Sequence, residues 1–399
     1  MYSDVVIIGS GHAGGMSAIS LRKKKFRGSL TIVGEEPYLP YQRPPLSKNF
    51  LANEIDKERI FLKKKDFYAK NNISLLLNTK VKQIVKEKNE LLLSDQKVLK
   101  YRFLIIATGA SLIKLKNQTQ NNGIKYLRNI DDAEEIKSLM KQSKTVAIVG
   151  SGYIGLEIAA TAIKSKLDVT VIEKEKNVMT RVVSKEVSEF LSFKHKEHGV
   201  KFIFENITLN ITQENNCQNI LLDDNHYLKK DLVIAGIGVL ANTKLAEESG
   251  IKCNNGIIVD ENCMTSEENI FAIGDCANKY SKLYKKHIRL ESVQNAIDQG
   301  KVVANYLTGG DFKINEATPW FWSDQYDIKL QIAGISEAYD KKIIKGSILD
   351  GKFTVFYVRE NHFICLEAVN SPKDFMLGKK FIENKTSADS KEANGLLES

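Results

Sequence analysis

The chain has 399 residues, of which 43% are hydrophobic and 27% are charged, and its formal charge is +9 at pH 7. This length exceeds what one hydrophobic core usually spans, so we expect two or three domains of a globular protein. The excess of 58 basic over 49 acidic side chains suits nucleic acid, anionic lipid or an acidic protein partner, or simply a lysine-rich solvated surface. The basic clusters lack interleaved aromatic residues and a nucleic-acid motif, so nucleic-acid binding is not expected.

Membrane, secretory and metal-binding signals are missing from the sequence. No apolar run reaches about eighteen residues, and Met1 leads directly into a strand-like segment, so we expect a cytoplasmic protein without a membrane anchor. The five cysteines are scattered, without a C-x-x-C pair or a cluster with histidine at metal spacing. We therefore predict free thiols in a reducing compartment and no metal site.

Two stretches share one pattern, in which an apolar strand, a glycine-rich turn, a helix and a second strand are followed by an acid. In both, G-x-G-x-x-G follows the strand and the acid stands about twenty residues beyond the last glycine. The residues are Gly9, Gly11, Gly14 and Glu35 in the first copy and Gly150, Gly152, Gly155 and Glu173 in the second. Such glycines allow a tight turn and close approach of a pyrophosphate, while the acid accepts hydrogen bonds from a ribose. Two complete copies predict two dinucleotide-binding folds.

After the first motif, the stretch YLPYQRPPLSKNF (38–50) combines three prolines with Arg43 and Lys48 and contains no cysteine. Because proline fixes φ and removes a backbone donor, we expect a rigid, extended segment that positions these two cations.

Further apolar strands end in polar turns. YRFLIIATGAS (101–111) ends at Thr108 and Gly109, and FAIGDCA places Asp275 just past a strand, where a carboxylate can reach a cofactor polyol. From Pro319, alternating aromatic-rich segments predict antiparallel strands of a separate C-terminal domain. The last segment, 386–399, lacks periodicity and is predicted to be flexible.

These stretches resemble the FAD-dependent ferredoxin–NAD(+) reductases of the glutathione-reductase-like superfamily, which serve Rieske dioxygenases and haem monooxygenases. The stretches that carry the resemblance are PYQRPPLSK, LRNIDDA, GSGYIGLEIAA, FAIGDCA, RLESVQNAIDQGK and PWFWSDQYDIKLQIAG. The resemblance implies an α/β fold with two nested Rossmann-like dinucleotide-binding domains plus an α+β C-terminal domain. The implied division is a split FAD-binding domain (1–111 and 237–313), an NAD(H)-binding domain (112–236), a C-terminal domain (314–385) and a flexible tail (386–399).

The resemblance also implies which residues hold the cofactors. The contacts implied for FAD and its surroundings are Gly9, Gly11, Ala13, Gly14, Glu35, Arg43, Lys48, Val81, Thr108, Gly109, Arg128, Asp275, Val293 and Trp320. Those implied for the nicotinamide dinucleotide are Gly150, Gly152, Ile154, Gly155 and Glu173. The chain departs from the family pattern in lacking a proline before Asn242 and in carrying lysines at 174 and 176.

The catalytic side chains implied by the resemblance are Lys48, Glu157, Tyr153 and Trp320. Disulfide reductases of the wider superfamily use a cysteine pair in the region of Lys48, so here electrons would pass from flavin directly to an external acceptor. A buried Lys48 needs a partner, and the implied partner is Glu157. Tyr153 would cover the flavin until nicotinamide stacks, and Trp320 would lie beside it. Trp322, two residues further on a strand, would point to the same side as Trp320.

NADH is the favoured donor, because the Glu173 carboxylate accepts from a free 2′-hydroxyl and repels a 2′-phosphate. NADPH remains an alternative donor, because the lysines at 174 and 176 could offset the repulsion between Glu173 and a 2′-phosphate. The expected partner is a small acidic iron–sulfur ferredoxin, attracted by the basic segment KLYKKHIR (282–289) and by Lys301. The alternatives are a rubredoxin reductase and an NADH-sensing interaction protein similar to apoptosis-inducing factor. NADH oxidases and peroxidases are disfavoured, since they usually use a cysteine where this chain has Lys48.

Overall fold

The computed structural model describes residues 1–115, 123–205, 210–214, 217–222, 226–310 and 317–398. The chain divides into two compact units. The first unit comprises Met1–Arg43, Lys57–Ser111 and Val239–Ala317, and the second comprises Pro44–Asp56, Leu112–Gly238 and Thr318–Ser399. The domain boundary expected between 313 and 314 lies outside the described residues, and the predicted division into three domains stays a prediction.

The strands account for most of the regular structure in both units. In chain order they are β1 (Tyr2–Ile8), β2 (Leu30–Val33), β3 (Ile73–Leu76), β4 (Val81–Val85), β5 (Glu90–Leu93), β6 (Val98–Ile106), β7 (Ala110–Leu112), β8 (Lys125–Tyr126), β9 (Thr145–Val149), β10 (Asp168–Glu173), β11 (Lys201–Phe204), β12 (Asn210–Glu214), β13 (Cys217–Leu221), β14 (Tyr227–Lys230), β15 (Leu232–Ala235), β16 (Val239–Ala241), β17 (Ile257–Val259), β18 (Ile270–Ala272), β19 (Ala277–Ser281), β20 (Lys286–Ile288), β21 (Trp320–Gln325), β22 (Ile328–Gly334), β23 (Lys341–Ser347), β24 (Lys352–Arg359) and β25 (His362–Val369).

The helices lie between these strands and at the end of the chain. They are α1 (His12–Lys23), α2 (Lys65–Lys70), α3 (Ile130–Gln142), α4 (Tyr153–Lys164), α5 (Lys185–Glu197), α6 (Lys244–Glu248), α7 (Val293–Leu307), α8 (Pro372–Glu383) and α9 (Lys391–Glu398). Short 3₁₀ turns occupy Pro44–Ser47, Lys57–Ile60, Lys86–Lys88 and Gly274–Cys276.

The first unit is built on a sheet with the strand order β3-β2-β1-β6-β5-β4, to which β18 adds by pairing with β6. Its central strands run parallel and are buried along nearly their whole length, as expected for a sheet covered on both faces. Helices α1 and α7 pack closely together, because Gly300 of α7 sits where a Cβ would come within 3.1 Å of the Ser17 backbone nitrogen.

The second unit contains a parallel sheet in the order β11-β10-β9-β15-β8 and a three-stranded antiparallel sheet, β12-β13-β14. Its C-terminal part is an antiparallel sheet in the order β21-β22-β25-β24-β23, against which α8 packs. The strand–helix alternation of the motifs gives parallel sheets, and the alternating aromatic segments give antiparallel ones. The predicted α/β class, with two dinucleotide-type sheets and an α+β C-terminal part, is confirmed.

Two local expectations differ from the structure. The proline-rich segment expected to be extended instead forms the 3₁₀ turn Pro44–Ser47, because the φ of proline suits the first turn of a helix as well as an extended chain. Within the segment predicted to be flexible, residues Lys391–Glu398 form α9, with Ala393 and Leu396 buried in the C-terminal core. Three-residue spacing of two apolar side chains places both on one helix face.

Membrane-spanning helices, metal-binding clusters and disulfides are absent from the described residues. None of the helices in this part of the chain has the length and apolar content that a membrane crossing needs. Groups of three or more histidine, cysteine or acidic side chains placed to hold a metal ion are not found in the same part. All five cysteines are free thiols.

Candidate functional site

The two glycine motifs form the same turn between a parallel strand and a helix. Gly9 and Gly150 have φ values of +114° and +97°, which side-chain-bearing residues rarely adopt. A Cβ on Gly14 would lie 2.0 Å from the carbonyl oxygen of Gly9, and one on Gly155 would lie 2.1 Å from that of Gly150. The first and third glycines are therefore required by the turn and by the packing of helix on strand.

The middle glycine of each motif leaves room for a ligand. A Cβ on Gly11 or Gly152 would meet no other residue within 4 Å. Each of these glycines is the N-cap of its helix and provides no side-chain cap, so the first N–H groups of α1 and α4 are available to an anion. Helix N-termini of this kind bind pyrophosphates. The two turns therefore fit the pyrophosphates of FAD and of a nicotinamide dinucleotide.

In the first unit, the turn lies where three parallel strands end side by side. Ile8 of β1 pairs with Ile106 of β6, which in turn pairs with Ala272 of β18. The residues that follow, Thr108 on one strand exit and Asp275 on the other, therefore gather at the carboxyl edge of the sheet. This edge is where open parallel sheets bind their ligands.

Asn242 fixes the exit of β6. Its Nδ2 donates to the Thr108 carbonyl oxygen at 2.8 Å, and the Thr108 hydroxyl donates to the Asn242 carbonyl oxygen at 2.9 Å. The Asn242 backbone N–H also donates to the Gly109 carbonyl oxygen at 2.9 Å. The missing proline before Asn242 therefore does not prevent this asparagine from holding the Ala-Thr-Gly turn.

Arg43 is held by two acceptors that the sequence analysis did not identify. Its Nη2 lies 2.7 Å from Glu36 Oε1, and its Nη1 donates to the Tyr41 hydroxyl at 3.0 Å. Burial opposes the guanidinium charge, but Tyr41 and Glu36 outweigh it and raise the pKa of Arg43, with a further contribution from Asp275. Glu35 is 67% exposed and pairs with Lys80 Nζ at 2.8 Å.

His12, the first residue of α1, offers a polar atom that a bound group could reach. Its Nδ1 is buried and has no hydrogen-bond partner among the described residues. Burial lowers the pKa of His12 to about 4, although the charge of Asp275 acts in the opposite direction. Buried polar atoms are almost always satisfied, so a bound group is expected to reach this nitrogen. The only signal in the sequence is a histidine at the first helical position of a dinucleotide motif.

The ribose acid of the second motif is fixed in position. Glu173 ends β10, and its Oε2 accepts from the backbone N–H of Ser151 at 2.8 Å and from the Ser151 hydroxyl at 2.6 Å. Its Oε1 accepts from the Glu175 N–H at 3.0 Å. Lys174 Nζ lies 3.9 Å from Glu175 Oε1 and is 62% exposed. Ser151, the middle residue of Gly-Ser-Gly, was not identified from the sequence although both motifs contain that serine.

Lys48 and Glu157 form a buried ion pair in the second unit. Lys48 Nζ lies 2.8 Å from Glu157 Oε2, and their side chains are 15% and 5% exposed. The Ser47 hydroxyl donates to the same oxygen at 2.5 Å, and the Ser323 hydroxyl donates to Glu157 Oε1 at 2.6 Å. Buried charges need a partner and further hydrogen bonds, and this carboxylate has both. The partner implied by the resemblance is present, whereas the two serines were not anticipated.

The segment that carries Lys48 is tied to α4. The Thr161 hydroxyl donates to the Ser47 carbonyl oxygen at 3.0 Å, and Lys164 pairs with Glu54. These contacts come from one face of α4, one and two turns beyond Glu157. The lysine is thus held by the same helix that supplies its partner.

The aromatic candidates lie in the second unit. Tyr153 begins α4 and is partly buried against a core cluster, and burial raises its pKa. The rings of Trp320 and Trp322 are 5.4 Å apart, so both lie on one side of β21 as strand alternation predicts. Trp320 also meets Phe375 edge-on at 5.8 Å.

The remaining predicted contacts are distributed over both units. Val81 begins β4 and Val293 begins α7 in the first unit. Arg128 precedes α3 in the second unit, where its backbone N–H donates to Asp132 Oδ2 at 2.9 Å. Ile154 is 38% exposed at the start of α4. Of the implied FAD contacts, Lys48, Arg128 and Trp320 belong to the second unit and the others to the first.

The basic segment 282–289 forms the turn and second strand of the β19–β20 hairpin in the first unit. Lys282 pairs with Glu261, and Arg289 pairs with Glu291 at 2.5 Å. Lys285 is exposed at the turn of this hairpin. Part of the positive charge of the segment is therefore offset by neighbouring acids.

Comparison with protein families assigns most of the chain. Residues 3–300 match the family described as Pyridine nucleotide-disulphide oxidoreductase, and residues 320–395 match the family described as Reductase C-terminal. Residues 301–319, between the two matched segments, are assigned to neither family.

Comparison with individual proteins gives full-length similarity. The chain is 38% identical to putidaredoxin reductase CamA of Pseudomonas putida over 96% of its own length and 92% of that protein. It is 39% identical to rhodocoxin reductase of Rhodococcus erythropolis, over 95% and 89% of the two chains. The crystal structure of the covalent putidaredoxin reductase–putidaredoxin complex superimposes with a TM-score of 0.92 at 37% identity, over 96% of this chain and 93% of that one.

Proposed function

Since the chain belongs to the pyridine nucleotide-disulphide oxidoreductase family, we propose that it is an NADH-dependent flavoprotein reductase that supplies a small acidic iron–sulfur ferredoxin of an oxygenase system. Family membership makes the protein an oxidoreductase that uses FAD and a nicotinamide nucleotide. A small protein acceptor fits the solved relative, which is a covalent complex of a reductase with its putidaredoxin.

The Lys48–Glu157 pair carries the proposal. The stretch from 38 to 56 contains no cysteine, so this chain has no thiol couple there to accept electrons. When bound, FAD supplies the redox chemistry that joins a two-electron donor to a one-electron acceptor. Lys48 supplies a fixed positive charge that favours negative charge on the cofactor, and Glu157 holds that ammonium in place. We therefore infer that the electrons pass directly to an external one-electron acceptor.

The first unit is proposed to hold FAD. The open turn at Gly11 and the N–H groups of α1 would receive the pyrophosphate, and Arg43 would add a second positive group. The unsatisfied His12 Nδ1 and the Asp275 carboxylate would complete the polar contacts along the ribityl chain and phosphates. These residues share the carboxyl edge of one sheet, which supports a single extended ligand.

The second unit is proposed to bind NADH rather than NADPH. The Glu173 carboxylate is fixed by Ser151 and can accept hydrogen bonds from a ribose diol, whereas it repels a 2′-phosphate. The nearby Lys174 is 62% exposed, and its Nζ lies 3.9 Å from Glu175 Oε1. Tyr153, the first residue of α4, is proposed to cover the flavin until the nicotinamide binds. Trp320 is proposed to contact the flavin.

The proposed docking surface for the acceptor is the β19–β20 hairpin. The exposed Lys285 lies in its turn and the exposed Lys286 begins β20, and an acidic ferredoxin would be attracted to them with a strong dependence on ionic strength. A charge reversal of both lysines tests this surface. The matched control is the charge reversal of the exposed Lys24 and Lys25 at the end of α1, in a cluster interpreted as a solvated face.

The decisive experiment is stopped-flow reduction of the FAD-loaded protein by NADH and by NADPH, followed by addition of an acidic two-iron ferredoxin at two salt concentrations. We expect rapid bleaching of the flavin band with NADH, slow bleaching with NADPH and salt-sensitive electron delivery. The reversal at 285 and 286 should slow delivery about tenfold at low salt, and the control reversal should not.

Two other outcomes would replace the proposal. Efficient delivery to a rubredoxin, but not to ferredoxins, would make the protein a rubredoxin reductase. A long-lived reduced complex that changes oligomeric state and passes electrons to neither acceptor would indicate an NADH-sensing interaction protein.

A further inference from the structure

A line of buried polar side chains leads away from Glu157 on the side opposite Lys48. Ser323 Oγ lies 2.6 Å from Glu157 Oε1, and Gln325 Nε2 lies 3.0 Å from Ser323 Oγ. Gln325 Oε1 lies 2.8 Å from His195 Nε2, and the Tyr326 hydroxyl lies 3.0 Å from His195 Nδ1. Ser323, Gln325 and His195 are each at most 2% exposed.

Strand alternation explains how β21 contributes to this line. Ser323 and Gln325 are two residues apart and share one face of the strand, while the exposed Asp324 lies on the other. That buried face meets α4, which carries Glu157, and α5, which carries His195. The strand therefore presents its polar pair to two helices of the same unit.

The chemistry of the groups fixes the direction of every hydrogen bond. An ionised Glu157 can only accept, so the Ser323 hydroxyl must donate to it. That hydroxyl then accepts from the Gln325 amide NH₂, which leaves the amide oxygen facing His195. The His195 ring must therefore carry its proton on Nε2, and its bare Nδ1 accepts from Tyr326. All four bonds donate toward the Glu157 carboxylate.

Every member of this chain is satisfied, which is the condition under which buried polar groups specify one arrangement. Burial lowers the pKa of His195 to about 4, so the ring is neutral at physiological pH and can both donate and accept. A protonated His195 could not accept from Tyr326, and the chain would lose its fixed direction.

We propose that Gln325 and His195 are positioning residues that hold the Ser323 hydroxyl as a donor to Glu157, so that this carboxylate keeps its other oxygen on Lys48. The inference rests on the proposed function, in which the Lys48 ammonium acts on bound flavin. Neither residue needs to touch a cofactor. They act through Ser323, which is the link between β21 and the ion pair.

The first arm of the test compares Gln325→Met with Thr354→Val. Methionine has nearly the shape of glutamine but removes the amide, whereas Thr354 is equally buried in the same sheet and donates to Asp374, outside the chain. At saturating NADH, we expect flavin reduction to slow about tenfold in Gln325→Met, with unchanged NADH affinity, and to stay unchanged in Thr354→Val. Equal rates in all three proteins would overturn the inference.

The second arm tests whether Gln325 acts through Ser323. Gln325→Met should cause no further loss of rate in a Ser323→Ala background, because the link to Glu157 is already broken there. His195→Gln, which can still donate to Gln325, should retain most of the rate that His195→Leu loses. Fully additive losses would assign Gln325 a separate structural role and refute the positioning role.

The third arm does not depend on turnover. The protein has six histidines, and nitrogen-15 NMR of histidine-labelled holoprotein can assign the signal of His195 as the one that disappears in His195→Gln. We expect that signal to be typical of the Nε2–H tautomer with a hydrogen-bonded Nδ1. An Nδ1–H tautomer or a mixture of tautomers would overturn the chain of donors. If NADH does not reduce the wild-type protein, the proposed function is refuted. The spectrum would still show whether the hydrogen bonds of His195 have the inferred direction.

Discussion

Replacing Lys48 by methionine should leave the Glu157 carboxylate without a cation in a site where that side chain is only 5% exposed. Removing one partner of a buried ion pair typically costs about 3 to 5 kcal/mol of unfolding free energy. Two serine hydroxyls still donate to Glu157, and Lys48 itself is 15% exposed, so the lower end of that range applies. We expect a loss of about 3 kcal/mol for Lys48→Met.

Adding Glu157→Gln to Lys48→Met should recover most of this loss. The neutral amide keeps an oxygen that the serines can reach and removes the uncompensated charge, so the double variant should lie within about 1 kcal/mol of the wild type. The matched control is Lys164→Met on the same helix. Lys164 is 66% exposed in its pair with Glu54, and such surface pairs contribute little.

Tryptophan fluorescence during denaturant unfolding gives a direct assay. The only two tryptophans, Trp320 and Trp322, both belong to the second unit, as do Lys48 and Glu157. Their signal therefore follows the unit in which the ion pair lies. The reasoning is refuted if Lys48→Met costs no more than Lys164→Met, or if the losses of the two single variants simply add in the double variant.

Three further predictions follow from individual residues. Gly11→Ala should lower the FAD content, and Gly152→Ala should weaken NADH binding at least tenfold. The fold should be unchanged in each, because a Cβ there meets no other residue within 4 Å, and a lower thermal stability of either apoprotein relative to the wild-type apoprotein would contradict this. Glu173→Ala should shift the NADPH-to-NADH ratio of kcat/KM upward about tenfold, and an unchanged ratio would remove this acid as selector. Burial lowers the pKa of His195 from 6.5 to about 4, so the unfolded state binds more protons in that range and the second unit should lose about 3 kcal/mol as pH falls through it. The measurement is the unfolding free energy, followed by tryptophan fluorescence, at several pH values. It should fall less steeply with decreasing pH in His195→Gln than in the wild type, and an equal slope would show that other groups cause the pH dependence.

Several features of the site were predictable from short-range sequence patterns. The spacing of Gly9, Gly11 and Gly14 follows from backbone constraints of a single turn, so it can be recognised without knowing the rest of the chain. The same holds for the side on which Trp320 and Trp322 lie, because strand alternation has a period of two. The resemblance to a known family added the Lys48–Glu157 pair, which joins residues 109 positions apart.

Other features required the folded chain. Proline restricts φ but not ψ, so the sequence did not decide between the extended segment that was expected and the 3₁₀ turn Pro44–Ser47 that is present. Glu36, rather than its neighbour Glu35, pairs with Arg43, because the direction of each side chain depends on the loop that follows β2.

The fold class and the two glycine turns follow from the sequence, since they depend on local patterns that any strand–turn–helix unit must satisfy. Which polar groups are hydrogen-bonded to Glu157, directly or through Ser323, depends on the tertiary structure, because Ser47, Ser323 and His195 come from distant segments whose side chains have no mutual pattern along the chain. Buried hydrogen bonds depend on placements of a few tenths of an ångström, and only the packing of strand against helix sets these.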